Sequence, residues 1–134
     1  MELTSCGFQK IGEWSLKEGR LKSKITFDLD IFENERVIYA FVVKGMCMYI
    51  GICDKMGTTL KDRLKRYKYW QGAGTNKRVA QNIRKSLEEN KKVEIFALKP
   101  QTNLSYNKLL TIDLVRGLEY PLIKKLRPPW NSSK

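Results

Sequence analysis

The sequence predicts an α/β fold: a small, mainly antiparallel β-sheet of three core strands, with a further strand near the N-terminus and helices alongside. Three observations carry that prediction. Apolar residues alternate with polar ones along KITFDLDIF (24–32) and KKVEIFALK (91–99), the two-residue period of a strand. The apolar run VIYAFVVKGMCMYIG (37–51) is broken once, at Lys44-Gly45, as a hairpin would be. Elsewhere apolar residues recur three and four apart, the period of a helix. With 134 residues, 42% of them hydrophobic, the chain can bury a single core, and one compact domain is expected. Within it, residues 1–35 read as an arm and outer strand and 36–134 as the principal unit.

Taken in order, residues 1–22 show little periodicity and read as a loosely packed arm anchored by Trp14 and Leu16. In 24–32, Ile25, Phe27, Leu29 and Ile31 fall on one side, which suits an outer strand. The polar ENER (33–36) turns the chain into the hairpin formed by 36–43 and 46–53. In DKMGTTLKDRLKRYKYW, Thr58 or Thr59 can cap a helix with Asp62 in its first turn. Leu60 and Leu64 form its apolar stripe, while Arg63 and Tyr67, four apart, share the adjacent one. After QGAG, Thr75 or Asn76 caps a second helix to about Asn90, with Val79, Ile83 and Leu87 as its stripe. The third core strand is 91–99. PQTNLSYN (100–107) is a polar connection to a last helix over about 113–126, stopped by the paired prolines of RPPWN. Pro121 inside that helix predicts either a bend or a helix that begins nearer Glu119.

Tyr39 and Tyr49 stand at matching places in the hairpin. Cross-strand partners share a face and residues alternate along each strand, so the two phenols share a face only if the loop has an odd residue count. A three-residue loop, Lys44-Gly45-Met46, pairs Tyr39 with Gly51 and Tyr49 with Phe41. A two-residue loop separates the phenols. Tyrosine is also simply a good strand residue, and the sequence leaves the choice open.

Charge narrows the partners. Twenty-six Lys/Arg against fourteen Asp/Glu give a net charge of +12. Such an excess favours a polyanion, because neutralising phosphates releases condensed counterions; solubility alone is the plainer alternative. The three cysteines, Cys6, Cys47 and Cys53, form no CxxC pair, and there is no histidine. This excludes the usual zinc sites and a disulfide framework, so a cytoplasmic setting is expected. No apolar run approaches a membrane span, and the N-terminus lacks a signal peptide's apolar segment.

VIY (37–39) with YIG (49–51) resembles the paired motif of the GIY-YIG nuclease domain, Val37 standing where the first glycine would be. LKDRLKRY (60–67) is similar to that family's helix motif, an arginine, here Arg63, with tyrosine or histidine four residues later, here Tyr67. LEYPLIKKLRPPWN (118–131) resembles its closing motif: Glu119, the apolar pair Leu122-Ile123, a proline-bearing stop and Asn131. The resemblance covers about residues 36 to 131. It departs from the family in the fourteen residues from Tyr49 to Arg63, which DKMGTT lengthens as a loop. Lys55 is a candidate for the lysine that some members place after the second tyrosine.

The resemblance implies a divalent-metal-dependent endonuclease with DNA as substrate. Glu119, a hard oxygen ligand, would hold one Mg²⁺ or Mn²⁺ that keeps several waters. Arg63 would neutralise a phosphate oxygen, and one of Tyr39 and Tyr49 would take the proton of the attacking water. Tyr67 would orient water or phosphate or stand in for histidine, and Asn131 would hold the site together. Lys65, Arg66, Lys68, Lys77 and Arg78, clustered around Tyr69 and Trp70, would track the DNA backbone, with Arg84 and Lys85 extending that surface. Taken singly, Arg63, Tyr67 and Glu119 have a plainer reading as solvated helix faces, Asn131 as a helix terminator and Trp70 as a core plug. A compact restriction-type enzyme is expected, cutting double-stranded DNA as a homodimer. A structure-selective or single-strand nuclease, a catalytically inactive nucleic-acid-binding protein and a ribosomal-type RNA binder are the competing readings.

Overall fold

The computed structural model describes residues 1–18, 24–69 and 74–131. A short helix, α1 (Glu2–Ser5), precedes β1 (Gln9–Lys17) and β2 (Lys24–Leu29). β1 occupies the stretch expected to be a loose arm. It is an interior strand, paired on one side with β2 and on the other with β5 (Val93–Leu98). Its register against β5 shifts between Lys10 and Gly12, so Ile11 is an extra residue. That bulge turns Ile11 and Trp14, an odd number apart, into the same core and hides the alternation in the sequence. β2 is the outer strand, as expected, but ends before Ile31, which is exposed.

β3 (Ile38–Val43) and β4 (Met46–Ile52) complete a five-stranded antiparallel sheet in the order β2-β1-β5-β3-β4. Tyr39 pairs with Gly51 and Phe41 with Tyr49, so the phenols share a face. The means differ from the expected three-residue loop. The turn has two residues, Lys44 and Gly45, both with positive φ (51° and 75°), the geometry that suits the twist of a tight hairpin. Val43 then pairs with Met46 and Val42 with Cys47, and the register shifts before Phe41 and Tyr49. The extra residue is Met48, a β-bulge, and it restores the parity that a two-residue turn alone would break.

Both faces of the sheet are covered. Tyr39, Phe41, Val43 and Ile95 lie under α2 (Leu60–Lys68) and α3 (Thr75–Glu88), which supply Leu60, Leu64, Tyr67, Val79 and Ile83. Thr59 caps α2: the Asp62 amide donates to Thr59 Oγ1 (3.2 Å), and the Thr59 amide to Asp62 Oδ2 (3.3 Å). Helix α3 starts at Thr75 with Gly74 in the capping position, so neither Thr75 nor Asn76 is the cap. On the opposite face, Ile38, Ala40, Val42, Ile50 and Phe96 pack with Leu3 of α1 and with α4 (Leu114–Gly117) and α5 (Glu119–Leu126), through Val115 and Leu122. All six β3 residues are therefore buried.

The expected helix over 113–126 is two pieces. Asp113 caps α4, accepting from the Val115 amide (3.1 Å), and the chain breaks at Leu118. Helix α5 begins at Glu119, which places Pro121 in its first turn, where a missing N–H costs no intrahelical bond. The polar connection hides a small hairpin, β6 (Leu104–Tyr106) and β7 (Leu110–Ile112), too short to announce itself by periodicity. A 3₁₀ turn, Pro129–Asn131, closes the described chain against β4. No helix among the described residues is long and apolar enough to cross a membrane, and the three cysteines are free.

Candidate active site

β3, β4 and α2 bring three phenols together on the helix-covered face. Tyr39 and Tyr67 hydroxyls lie 2.6 Å apart, Tyr67 donates to Tyr49 (3.3 Å), and Arg63 Nη2 donates to the Tyr67 oxygen (2.9 Å). A chain running Tyr39 to Tyr67 to Tyr49 gives each of the two deeper hydroxyl hydrogens an acceptor. Tyr67 then accepts from Tyr39 and Arg63 and donates onward, its full capacity. The Tyr49 hydrogen is left over. Gly51 permits this arrangement: the Tyr39 ring lies over it, and a Cβ there would overlap the ring's hydroxyl end. The room that a glycine leaves at position 51 is filled by the Tyr39 ring.

Tyr49 also opens onto a cleft of about 370 Å³ at the β4 edge, lined with it by Gly51, Asp54, Lys55, Arg63, Arg66 and Glu119. Tyr39 and Tyr67 lie behind, fully buried, and do not line it. Burial pushes all three phenols above their ordinary value near 10, so each is neutral in the free protein. Burial opposes the Arg63 charge while the surrounding phenol oxygens favour it, and the net direction is upward. The guanidinium also sits over the Tyr67 ring, 5.3 Å from its centre.

Glu119 reaches the cleft from the first turn of α5, on the opposite side of β4 from α2. Partial burial raises its pKa first, the Asp54 charge raises it further, and Arg63 pulls it back. No group of three or more acids, cysteines or histidines placed to hold a metal ion occurs among the described residues. The cleft's donor set suits a hard cation: Glu119 offers carboxylate oxygens, Asp54 lies on the same wall, and a half-open cleft leaves room for water.

Asn131 does not reach the cleft. Its side-chain oxygen accepts from the Ile50 amide and its nitrogen donates to the Ile50 carbonyl, both at 2.8 Å. The side chain therefore pairs with the open edge of β4 as a neighbouring strand would, between Tyr49 and Gly51.

The basic residues divide. Lys55 and Arg66 line the cleft. Lys65, Lys77 and Lys85 are exposed, and Lys68 lies over the Tyr69 and Phe27 rings (5.4 and 5.9 Å). Arg78 donates to the Trp130 carbonyl (2.8 Å), and Arg84 pairs with Glu88 (3.2 Å). Helix α3, which bears Lys77, Arg78, Arg84 and Lys85, packs on β1, β2 and β5, and its first turn reaches the 3₁₀ turn beside β4 through Arg78. Trp70 lies outside the described residues.

Two features were absent from the sequence reading. Asp54 faces the cleft and pairs with Arg116 (2.7 Å). Arg36 donates to both Asp113 oxygens (2.8 Å each) and to the Asp54 carbonyl (2.6 Å), tying the loop after β4 to the start of α4. Holding the Asp113 carboxyl below its ordinary range is mainly the work of Arg36. The only sequence signal was an acid directly after the YIGIC strand, and nothing in 77 residues of separation links Arg36 to Asp113.

No protein-family model matches the chain, and no curated protein sequence does. Among solved structures, a mutant of bacteriophage T4 EndoII matches with 30% identity and a TM-score of 0.71, over 98% of this chain and 96% of that one. Restriction endonuclease HPY188I, solved in complex with product DNA, matches with 19% identity and a TM-score of 0.56, over 99% of this chain and 80% of that one. Both are GIY-YIG nucleases; the second likeness speaks for the fold, while the first extends to sequence over nearly the whole of both chains. At that identity and coverage, this chain belongs to the GIY-YIG nuclease superfamily.

Proposed function

We propose that the chain is a divalent-metal-dependent DNA endonuclease that hydrolyses phosphodiester bonds in the β4-edge cleft. One observation carries the proposal: Tyr49, Arg63 and Glu119, contributed by three separate elements, line a single cleft. DNA is taken as substrate from the +12 charge and from HPY188I, which was solved with product DNA.

Glu119 is the residue to hold Mg²⁺ or Mn²⁺, with Asp54 placed to orient waters around it. Such an ion supplies positive charge beside the phosphate and the proton-transfer step. Arg63, locked on Tyr67, presents its remaining N–H groups to a non-bridging phosphate oxygen without having to reorganise. Tyr49 is the tyrosine positioned to accept the water's proton, because it alone of the three phenols faces the cleft. Burial makes its phenolate costly in the free protein. Added positive charge lowers that cost, as the Arg63 guanidinium nearby already does in part. Tyr67 and Tyr39 act behind Tyr49 as positioning residues, Asn131 fixes β4, and Lys55 and Arg66 hold the flanking backbone.

Supercoiled plasmid and single-stranded DNA, each with and without Mg²⁺, test the proposal. Metal-dependent conversion of plasmid to discrete linear bands is the result expected of a restriction-type enzyme; digestion of the single strand alone would point to the other specificity. Glu119→Ala should abolish cleavage while leaving DNA affinity largely intact. Undiminished cutting by that variant would remove the metal assignment.

A further inference from the structure

The outer side of α4 and α5 borders the cleft but lies outside the site described so far. Glu119 lines the cleft; the next residue, Tyr120, does not, and its ring is 71% exposed. One turn on, Lys124 Nζ lies 5.9 Å from the centre of that ring. One turn back, Arg116 pairs through Nε with the Asp54 carboxylate of the cleft wall (2.7 Å). The helical bonding continues across the break between α4 and α5. The Leu118 amide donates to the Leu114 carbonyl and the Leu122 amide to the Leu118 carbonyl. Arg116, Tyr120 and Lys124, each four residues apart, therefore form one exposed stripe along the rim.

We infer that this stripe holds the DNA strand beside the scissile phosphate, with Tyr120 stacked on a base and Lys124 on the backbone. The inference rests on the reading of the cleft as a DNA site. A lone exposed aromatic is ordinary, but this one is set among cations. Residues 114–131 carry Arg116, Lys124, Lys125 and Arg127, all exposed, against one acid, Glu119, which is turned to the cleft. Lys124, Lys125 and Arg127 pair with no acid among the described residues, whereas Arg84 of α3 is held by Glu88. Tracking phosphates takes such free cations, and an exposed ring between them offers a face on which any base can stack. Lys55 and Arg66 bring charge from the loop after β4 and from α2, so a strand passing over Glu119 meets cations on either side. Exposure alone does not make such a stripe. Tyr106 in the small hairpin is comparably bare (62%), yet residues 100–112 carry a single charged side chain, Lys108.

The test is binding by the full-length protein in EDTA, where no cutting occurs. Fluorescence anisotropy over a salt series reads it, with a labelled duplex that carries an unpaired central bubble. Tyr120→Ala should weaken binding by about 5- to 150-fold at an unchanged log–log salt slope, the mark of lost stacking rather than a lost phosphate contact. Tyr120→Phe should bind as wild type, while Tyr120→Leu, which keeps apolar area but no ring, should not. Should the alanine variant not fold by circular dichroism, the leucine variant replaces it. Lys124→Ala should lower the slope by about one, and Tyr106→Ala should change nothing. Wild-type affinity in Tyr120→Ala, a leucine variant as good as the phenylalanine one, or an equal loss at Tyr106 overturns the inference, as does a wild type that does not bind this DNA. The two readings fail separately. A wild type that binds through Tyr120 but never cuts with Mg²⁺ sinks the nuclease reading and leaves the stripe; normal cutting with Tyr120→Ala affinity unaltered sinks the stripe alone.

Discussion

Phenylalanine at position 49 and phenylalanine at position 39 should do different damage. Tyr49→Phe removes the cleft-facing hydroxyl and should slow plasmid cleavage by about 10²–10⁴-fold with little change in melting temperature. Tyr39→Phe leaves Tyr67 short of a buried hydrogen bond, so it should cost roughly 1–2 kcal/mol of stability and far less rate. Reversed outcomes in paired kinetic and melting measurements would make Tyr39 the base. Asp54 supplies a second residue-scale prediction. Glu119 must be ionised to hold a cation, and burial, then Asp54, raise its pKa. Asp54→Asn takes away one upward push, so the acid limb of the pH–rate profile should move to lower pH; an unmoved limb would assign it to another group. The sequence made Arg63 and Tyr67 legible because helical spacing alone puts them together. It left Tyr39 and Tyr49 indistinguishable, since which phenol lines the cleft depends on how α2 covers the sheet.

Among the elements, the β3–β4 hairpin shows how a correct pairing can rest on an unforeseen device. Counting residues between Tyr39 and Tyr49 fixes parity, but an extra residue in the loop and one in the strand give the same count. The Lys44-Gly45 turn and the Met48 bulge are the second solution. Deleting Met48 should yield a regular two-residue hairpin in which Tyr49 still pairs with Phe41 on the Tyr39 face, so the three phenols stay together and plasmid cleavage should persist. Met48→Ala keeps the bulge and should stay within a few-fold of wild type. A deletion that abolishes cleavage would mean that the bulge itself shapes the site, and not only the face on which Tyr49 lies. Strand β1 escaped notice for the same reason: the extra residue at Ile11 erased its two-residue period. Long uninterrupted patterns, such as α3 and β5, were read directly.

Across the whole molecule, the +12 charge was legible at once, but its distribution was not, because a count of lysines does not tell which are engaged within the protein. Arg78 is held by the Trp130 carbonyl and Arg84 by Glu88, while Lys55 and Arg66 line the cleft. DNA affinity should therefore fall steeply with salt. Lys55→Ala and Arg66→Ala should each lower the log–log slope by about one, whereas Arg84→Ala should hardly change it. Fluorescence anisotropy over a salt series reads this, and equal effects at all three positions would mean diffuse rather than cleft-centred attraction. Lastly, the strand that bears Tyr49 is the rim of the sheet, and at Ile50 the amide of Asn131 occupies its outward valences. A rim with vacant valences invites stray strands to add on and seed aggregates. One carboxamide thus serves solubility as well as alignment, so harm to activity from its loss can begin with self-adhesion before any chemistry is impaired.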